Sequence, residues 1–145
     1  MLAVASGRGL WVQLLRLRPA FADCDVTFVT VRDSYRSQVP GQAFVAVNDA
    51  TRWNKFSLVR LAWRMFRIVA GLRPDVVVST GAAPGYFALR FGRLFGARTL
   101  WIDSIANVEE VSLSGRRIAP YVDAALTQWK HLEVTPGFRH RGAVL

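Results

Sequence analysis

Two stretches of this chain carry residue types that could do chemistry. In the first, Ser79-Thr80-Gly81-Ala82-Ala83 has almost no side-chain bulk, and Pro84 and Gly85 follow it. A proline suits the first turn of a helix, where its missing N–H costs nothing, so the order predicts a strand, a small-residue turn and a helix N-terminus. Such a turn bares backbone N–H groups that suit a phosphate or another anion. The alternative is an ordinary strand-to-helix turn kept small for close packing. The second stretch runs from Asp103-Ser104 through Asn107 to Glu109 and Glu110. Its carboxylates are the candidate acids and bases, with loop capping and solvation as their plainer role. Glu109 and Glu110 are adjacent, so on a helix they would diverge and form no working pair.

Other chemistries lack their residues. His131 and His140 both fall in the C-terminal tail and Cys24 is the only cysteine, so no metal-ligand spacing is present. One cysteine excludes an internal disulfide and fits a reducing compartment. No serine or cysteine nucleophile arrangement emerges. The expectation is a binding surface without a catalytic group, a metal or a cofactor.

The elements that must hold these stretches can be read on either side of them. Asp75 to Ser79 is β-branched and uncharged after its first residue, long enough for a buried strand and too short for a helix. Arg98 to Ile102 is a second strand, and Asp103-Ser104 lies at its carboxyl end, the edge where open parallel sheets bind ligands. At the N-terminus, a strand over Leu2 to Ala5 leads into Ser6-Gly7-Arg8-Gly9 and a helix from Leu10 to about Arg18, limited by Pro19. This is a second potential phosphate cradle, expected beside the Thr80 turn. It is a poor dinucleotide fingerprint, because the third glycine would fall at Val12 and no acidic residue clearly ends the next strand. Further strands are expected over Asp25 to Val31, Ala43 to Val47 and Asp123 to Thr127. Alternating strands and helices predict an α/β, Rossmann-like fold: a single parallel sheet of five to six strands flanked by helices, in one domain over residues 1–145. The tail from His131 is broken by glycine and proline and reads as irregular.

Asn54 is placed to cap a long helix from Lys55 to about Ala70, with Gly71 at its end and Pro74 beyond. Ser57, Arg60, Arg64 and Arg67 share one narrow stripe of it, and nearly all the rest is apolar. A helix on a sheet needs an apolar arc of little more than a third of its circumference, and this one offers roughly twice that. With arginines beside Trp53, Phe56, Trp63 and Phe66, a membrane interface is a natural partner for the excess. Burial under a loop or another subunit is the alternative.

Composition bounds the partners. The net charge is +9, with seventeen of the 19 basic residues arginine. Arginine favours phosphate and anionic surfaces, yet the arginines are dispersed and form no basic run or nucleic-acid motif. Although 52% of residues are hydrophobic, no uncharged run reaches the roughly 20 residues that span a bilayer. Neither a transmembrane helix nor a signal peptide is expected.

The text STGAAPGYFALRFGRLFGARTLWIDSIANVEE closely resembles a bacterial polysaccharide-biosynthesis family, the PssD-type relatives of the eukaryotic asparagine-linked-glycosylation subunit fourteen. The resemblance runs from Ala3 to the C-terminus and is strongest between Pro74 and Trp129. It implies the N-terminal, acceptor-side half of a GT-B glycosyltransferase, encoded as a separate chain. A small glycosyltransferase-like partner would supply the half that binds the UDP-sugar. Together they would transfer a sugar, without a metal, to a polyprenyl-diphosphate-linked saccharide. The chain would sit peripherally on an anionic membrane surface, at the cytoplasmic face of the inner membrane, with no nucleic acid involved. The over-apolar helix would stand in for the membrane span of the eukaryotic relatives.

Carried onto this sequence, the first motif falls on Ser6, Gly7 and Gly9, followed by Trp11 and Gln13. The second falls on Thr80, Gly81 and Gly85, the third on Asp103, Ser104, Asn107 and Glu109, and the fourth on Gln128 and Trp129. The first three motifs, with Arg8, form the expected acceptor- and phosphate-binding set. Trp53, Phe56, Arg60, Trp63, Arg64, Phe66, Arg67, Gln128 and Trp129 form the expected membrane or partner contact. The chain departs from the family pattern at the first turn, where Arg8 replaces the middle of three glycines and Leu10 replaces a histidine. Losing that histidine removes the best candidate for a base or phosphate ligand. A non-catalytic membrane scaffold for the partner is the rival reading.

Overall fold

The computed structural model describes residues 1–50 and 54–143. Seven strands form one fully parallel sheet in the order β3-β2-β1-β4-β5-β6-β7. They are β1 (Leu2–Val4), β2 (Thr27–Thr30), β3 (Ala43–Ala46), β4 (Val76–Ser79), β5 (Arg98–Ile102), β6 (Ala124–Thr127) and β7 (Phe138–His140). The helices are α1 (Gly9–Arg16), α2 (Lys55–Leu72), α3 (Ala82–Leu94) and α4 (Leu113–Ile118). Strand order reverses between β1 and β4, which opens a crevice at their carboxyl ends. Both small-residue turns flank that point, as their predicted adjacency requires.

The sheet carries two apolar layers. Leu2 and Val4 face a core completed by Leu61, Met65 and Val69 of α2 and by Ala88 and Leu89 of α3. Ala3 and Ala5, half a pleat away, face a smaller core with Trp11 and Leu14 of α1 and Phe28 of β2. Trp11 anchors this second layer. Its ring stacks on Tyr35 at 5.3 Å and meets Phe28 and Phe44 edge-on, while its Nε1–H donates to Gln38 Oε1 at 3.1 Å.

Two glycines set how closely α3 sits on β4. Gly85 and Gly92 are seven residues apart, two turns of one helix face. A Cβ on Gly85 would lie 1.8 Å from Ser79 Oγ, and one on Gly92 would lie 2.7 Å from Val77 Cγ2. Gly85 is thus buried against the strand, so the sequence expectation that it binds the ligand is corrected: it seats the helix.

Three further expectations change. The tail is not irregular, because a 3₁₀ segment (Lys130–Val134) leads to β7, which raises the strand count above the expected five to six. Phe138 is the buried residue that ties this edge strand to the core. Asn54 does cap α2, its side chain accepting from Ser57 N–H at 3.1 Å. The helix, however, runs through Gly71, and Arg73 takes the left-handed closing position at φ 43. Its guanidinium lies 5.5 Å from the centroid of the Phe95 ring. No helix among the described residues is long and apolar enough to cross a membrane.

Candidate functional site

A cavity of about 430 Å³ lies over the carboxyl ends of β4 and β5. Leu10, Thr80, Gly81 and Ala82 wall one side; Asp103, Ser104 and Asn107 wall another; Ser112, Leu113, Ser114 and Arg117 close it from α4. The first turn of α3 faces this space with no capping side chain on its N-cap, Gly81. The initial N–H groups of a helix have no intrahelical partner, and Pro84 has none to offer. Ala82, which lines the cavity, belongs to this first turn, and a helix N-terminus is a general anion site.

The backbone there is strained. Gly81 has φ 142, and the next residue, Ala82, has φ 69 without being glycine. The parallel turn after β1 behaves the same way, with Arg8 at φ 61 and ψ −129 capping α1. Such conformations cost about 1–3 kcal/mol each and gather at functional sites. Arg8→Gly is accordingly expected to raise stability by about 1–3 kcal/mol, read as a higher denaturation midpoint at unchanged m-value.

Thr80 and Leu10 join the two turns. Thr80 is fully buried, and its hydroxyl donates to the Leu10 carbonyl at 2.7 Å. The Leu10 side chain covers Gly81, so that a Cβ on Gly81 would meet Leu10 Cδ2 at 3.2 Å. Where the resembling family carries a histidine, this chain thus places an apolar wall.

Asp103 is the structural centre of the site. It is 1% exposed, and its carboxylate accepts four hydrogen bonds. Oδ1 receives Trp101 Nε1–H at 3.1 Å and the Ser112 hydroxyl at 2.5 Å. Oδ2 receives Asn107 Nδ2 at 3.1 Å and Ser112 N–H at 2.9 Å. Ser112 in turn caps α4, its Oγ accepting Gly115 N–H at 2.9 Å. Gly115 is needed for this approach, since a Cβ there would lie 2.9 Å from Asp103 Oδ1. The sequence made Asp103 an acid, base or ligand contact, but every hydrogen-bonding direction of its carboxylate is already used. It holds α4 and the β5 loop in place. Gln13 adds a second brace, donating to Ser104 Oγ at 3.1 Å and accepting from Ile105 N–H at 3.3 Å.

The expected site residues therefore separate. Thr80, Gly81, Asp103, Ser104 and Asn107 converge on the cavity. Ser6, Gly7, Arg8 and Gly9 occupy the neighbouring strand end without lining it, and the Arg8 N–H is taken by the Tyr35 hydroxyl at 3.0 Å. Glu109 is exposed and outside the lining. Sequence reasoning missed Leu10, Ala82, Ser112, Leu113, Ser114 and Arg117. Among the described residues, Arg117 is the only basic side chain in the lining; it is exposed and makes no ion pair there. The signal for α4 was present in Ser112, a cap residue ahead of Gly115-Arg116-Arg117.

The outer set also divides. Phe56 and Trp63 are 82% and 63% exposed, with Val59 between them and Arg60, Arg64 and Arg67 alongside. Phe66 instead turns inward, meeting Phe91 at 5.4 Å and Phe95 at 5.8 Å. Gln128 is corrected outright as a membrane or partner contact: it is buried, donating to Gln13 Oε1 at 2.6 Å and to the Asp103 carbonyl at 3.0 Å. Trp129 is half-buried, its Nε1–H donating to the Ile105 carbonyl at 2.7 Å. Trp53 lies outside the described residues.

No protein-family model matches the chain. Among curated proteins it is similar to the UDP-N-acetylglucosamine transferase subunit ALG14 of Yarrowia lipolytica, with 33% identity over 86 residues, 54% of this chain and 40% of that protein. The corresponding subunit of Schizosaccharomyces pombe is 31% identical over 105 residues, 67% of this chain and 47% of that protein. The chain thus spans less than half the length of these curated relatives, which are named as glycosyltransferase subunits. Among solved structures, MurG of Acinetobacter baumannii matches with TM-score 0.75 at 11% identity, over 96% of this chain and 45% of that one. A UDP-N-acetylglucosamine 2-epimerase of Rickettsia bellii matches with TM-score 0.71 at 12% identity, over 98% of this chain and 44% of that one. The shared feature is the fold, the Rossmann-like half found in GT-B glycosyltransferases. Since a transferase and an epimerase both carry it, function must be argued from the site and the homologous subunits.

Proposed function

We propose that this chain is the acceptor-side subunit of a two-chain, UDP-sugar-dependent glycosyltransferase. It binds a polyprenyl-diphosphate-linked saccharide and recruits a small catalytic partner that holds the nucleotide sugar. Its product would enter an exopolysaccharide or capsule repeat unit at the cytoplasmic face of the inner membrane, a reading that the resemblance to PssD-type proteins supports. The observation that supports the reading is the cavity itself: the start of α3 at Ala82 and the exposed Arg117 line one space, in a chain similar to transferase subunits.

The chemistry assigned to this chain is positioning. Among the described residues, Asp103 and Arg117 are the only titratable side chains in the lining, and the Asp103 carboxylate is spent on its four donors. Neither side chain offers an unoccupied acceptor atom to an acceptor hydroxyl. The α3 N–H groups and Arg117 would hold the acceptor diphosphate, which fixes the attacking hydroxyl relative to the donor on the partner. Proton removal then falls to the partner. The same lack of a base is what favours the scaffold reading, in which the chain only docks the partner. Purifying each protein and their complex, and offering labelled UDP-sugars with membranes, tests the assignment: transfer should require both chains, and transfer by the partner alone would refute it.

Membrane attachment rests on α2. Between Asp49 and Asp75 there is no acidic residue, and between Asp75 and Asp103 again none, so α2 and α3 present cations without carboxylates. Exposed Phe56, Val59 and Trp63 add the apolar contact that an interfacial helix needs. Binding to vesicles containing phosphatidylglycerol is expected to weaken about tenfold or more in a Phe56→Ser/Trp63→Ser variant, and to fall with added salt. Undiminished co-sedimentation of that variant would remove α2 as the contact.

A further inference from the structure

Two amide side chains, Gln13 and Asn107, decide which polar groups the cavity over β4 and β5 offers to a ligand. An amide fits either way round, so its donor and acceptor ends must be read from its partners. Gln13 is 6% exposed, and a backbone donor leaves it no choice. Ile105 N–H donates to its Oε1 at 3.3 Å, and Gln128 Nε2 donates to the same atom at 2.6 Å. Its Nε2 therefore faces Ser104 and donates to Oγ at 3.1 Å. Ala106 N–H donates to that same Oγ, also at 3.1 Å. A hydroxyl oxygen has two lone pairs and one proton. Both lone pairs of Ser104 are thus filled from behind, and only its proton is left for the cavity. Among the described residues, nothing accepts that proton.

Asn107 is fixed by the opposite logic. The Asp103 carboxylate only accepts, so the group that Asn107 turns toward Oδ2 at 3.1 Å is its NH₂. Oδ1 is the atom left over, on a half-buried side chain that lines the cavity, and among the described residues no donor reaches it. The two residues stand at the ends of one turn, Asn107 N–H donating to the Ser104 carbonyl at 3.1 Å. This wall therefore offers one proton and one lone pair together. The other hydroxyls of the lining differ. Thr80 gives its proton to the Leu10 carbonyl and Ser112 gives its own to Asp103. Ser114 has no partner among the described residues and can turn either way. A phosphate oxygen suits the Ser104 proton but meets the Asn107 lone pairs with like sign, and an ammonium group has the reverse mismatch. A sugar hydroxyl satisfies both, accepting from Ser104 and donating to Asn107.

We infer that Ser104 and Asn107 form a subsite for a neutral sugar hydroxyl, its polarity set from behind by Gln13 and Asp103. This rests on the saccharide reading above and adds which wall of the cavity reads the sugar and which group it reads. Phosphate is kept from this wall. Gln13 is then a positioning residue for specificity: it dictates that Ser104 donates without itself lining the cavity.

The test titrates the chain alone with α-glucose 1-phosphate, its monodeoxy analogues and inorganic phosphate, followed by the NMR signals of the Asn107 side-chain amide. Removing one particular hydroxyl should weaken binding about tenfold, the net worth of two hydrogen bonds. The other deoxy sugars should bind like the parent, and inorganic phosphate should leave the Asn107 signals in place. Gln13→Glu is isosteric and still accepts from Ile105 and Gln128, but it has no proton for Ser104, whose hydroxyl then turns back to donate to it. Sensitivity to the chosen hydroxyl should disappear in this variant, with inorganic phosphate bound as before. Ser104→Ala should lose the same sensitivity, and Ser104→Thr should keep it. Equal affinities for all the deoxy sugars in the unaltered chain would overturn the inference, as would no sugar-dependent change at Asn107. Discrimination that survives in both Gln13→Glu and Ser104→Ala would overturn it as well. If one hydroxyl is read but the two-chain transfer fails, the subsite stands and the transferase function falls. If transfer requires both chains and Gln13→Glu leaves KM for the acceptor unaltered, only the subsite falls.

Discussion

Replacing Asp103 with alanine is expected to lower stability by about 3 kcal/mol or more, a fall of roughly 10 °C in Tm for a chain of this size. Trp101 Nε1–H, Ser112 N–H, the Ser112 hydroxyl and Asn107 Nδ2 all end on this one carboxylate. Alanine leaves them facing a void, and a buried donor without an acceptor costs about 1–3 kcal/mol. The loss is not confined to stability. Ser112 can no longer be held as the cap of α4, so Ser114 and Arg117 move relative to the α3 N-terminus. A displacement of about 1 Å in a positioning group can cost about a hundredfold in rate. Asp103→Asn should fall between the two, because it keeps one acceptor oxygen but turns an NH₂ toward two N–H donors. Thermal denaturation of both variants checks the order, and an asparagine variant as stable as the parent would contradict the network.

Gly85→Ala is expected to be comparably damaging, for a reason that involves no ligand. Its Cβ would stand 1.8 Å from Ser79 Oγ and 2.7 Å from Ser79 Cβ, so α3 must lift from β4 or the strand must shift. Overpacking of this kind costs about 1–3 kcal/mol, and more when backbone has to move. The expected loss is about 3 kcal/mol. Ser79→Ala in the same chain should restore part of it, since it removes the nearer atom and leaves the Cβ contact. That is a coupling a double-mutant cycle reads directly. Gly71→Ala is the contrasting case, because nothing lies within 4 Å of its Cβ in the middle of an otherwise regular helix turn. It should gain about 0.5–1 kcal/mol. Equal effects at Gly71 and Gly85 would refute the packing role of Gly85.

These two positions also mark what could and could not be read from the residues. The parallel sheet, the Asn54 cap and the adjacency of the two turns follow from local pattern: β-branched runs, a cap residue and small residues ahead of a helix. Gly85 was legible as required but not as to why. A glycine that admits a phosphate and a glycine that admits a strand look alike until the Ser79 side chain is in place. Asp103 presented the same ambiguity, since an acid at a strand end reads as a ligand contact until its donors are found on Trp101 and on residues of the following loop. Gln128 was mistaken for a surface residue because its partners, Gln13 and the Asp103 carbonyl, lie far away in sequence. β7 was missed because it has three residues and only Phe138 buried, too little for a period-two pattern. Arg117 was missed for a tertiary reason, as α4 reaches the cavity only when Asp103 binds Ser112.

If the acceptor site belongs to this chain, Arg117→Glu strikes it at the exposed cation of the lining. The position is exposed, so the fold and the complex with the donor-binding partner should survive, monitored by Tm and by co-purification. In the two-chain assay, transfer to the lipid-linked acceptor is predicted to fall at least about tenfold, with KM for the acceptor rising and KM for the UDP-sugar unchanged. Full transfer with an unaltered acceptor KM, in a complex that still forms, would contradict the account and leave the chain a scaffold.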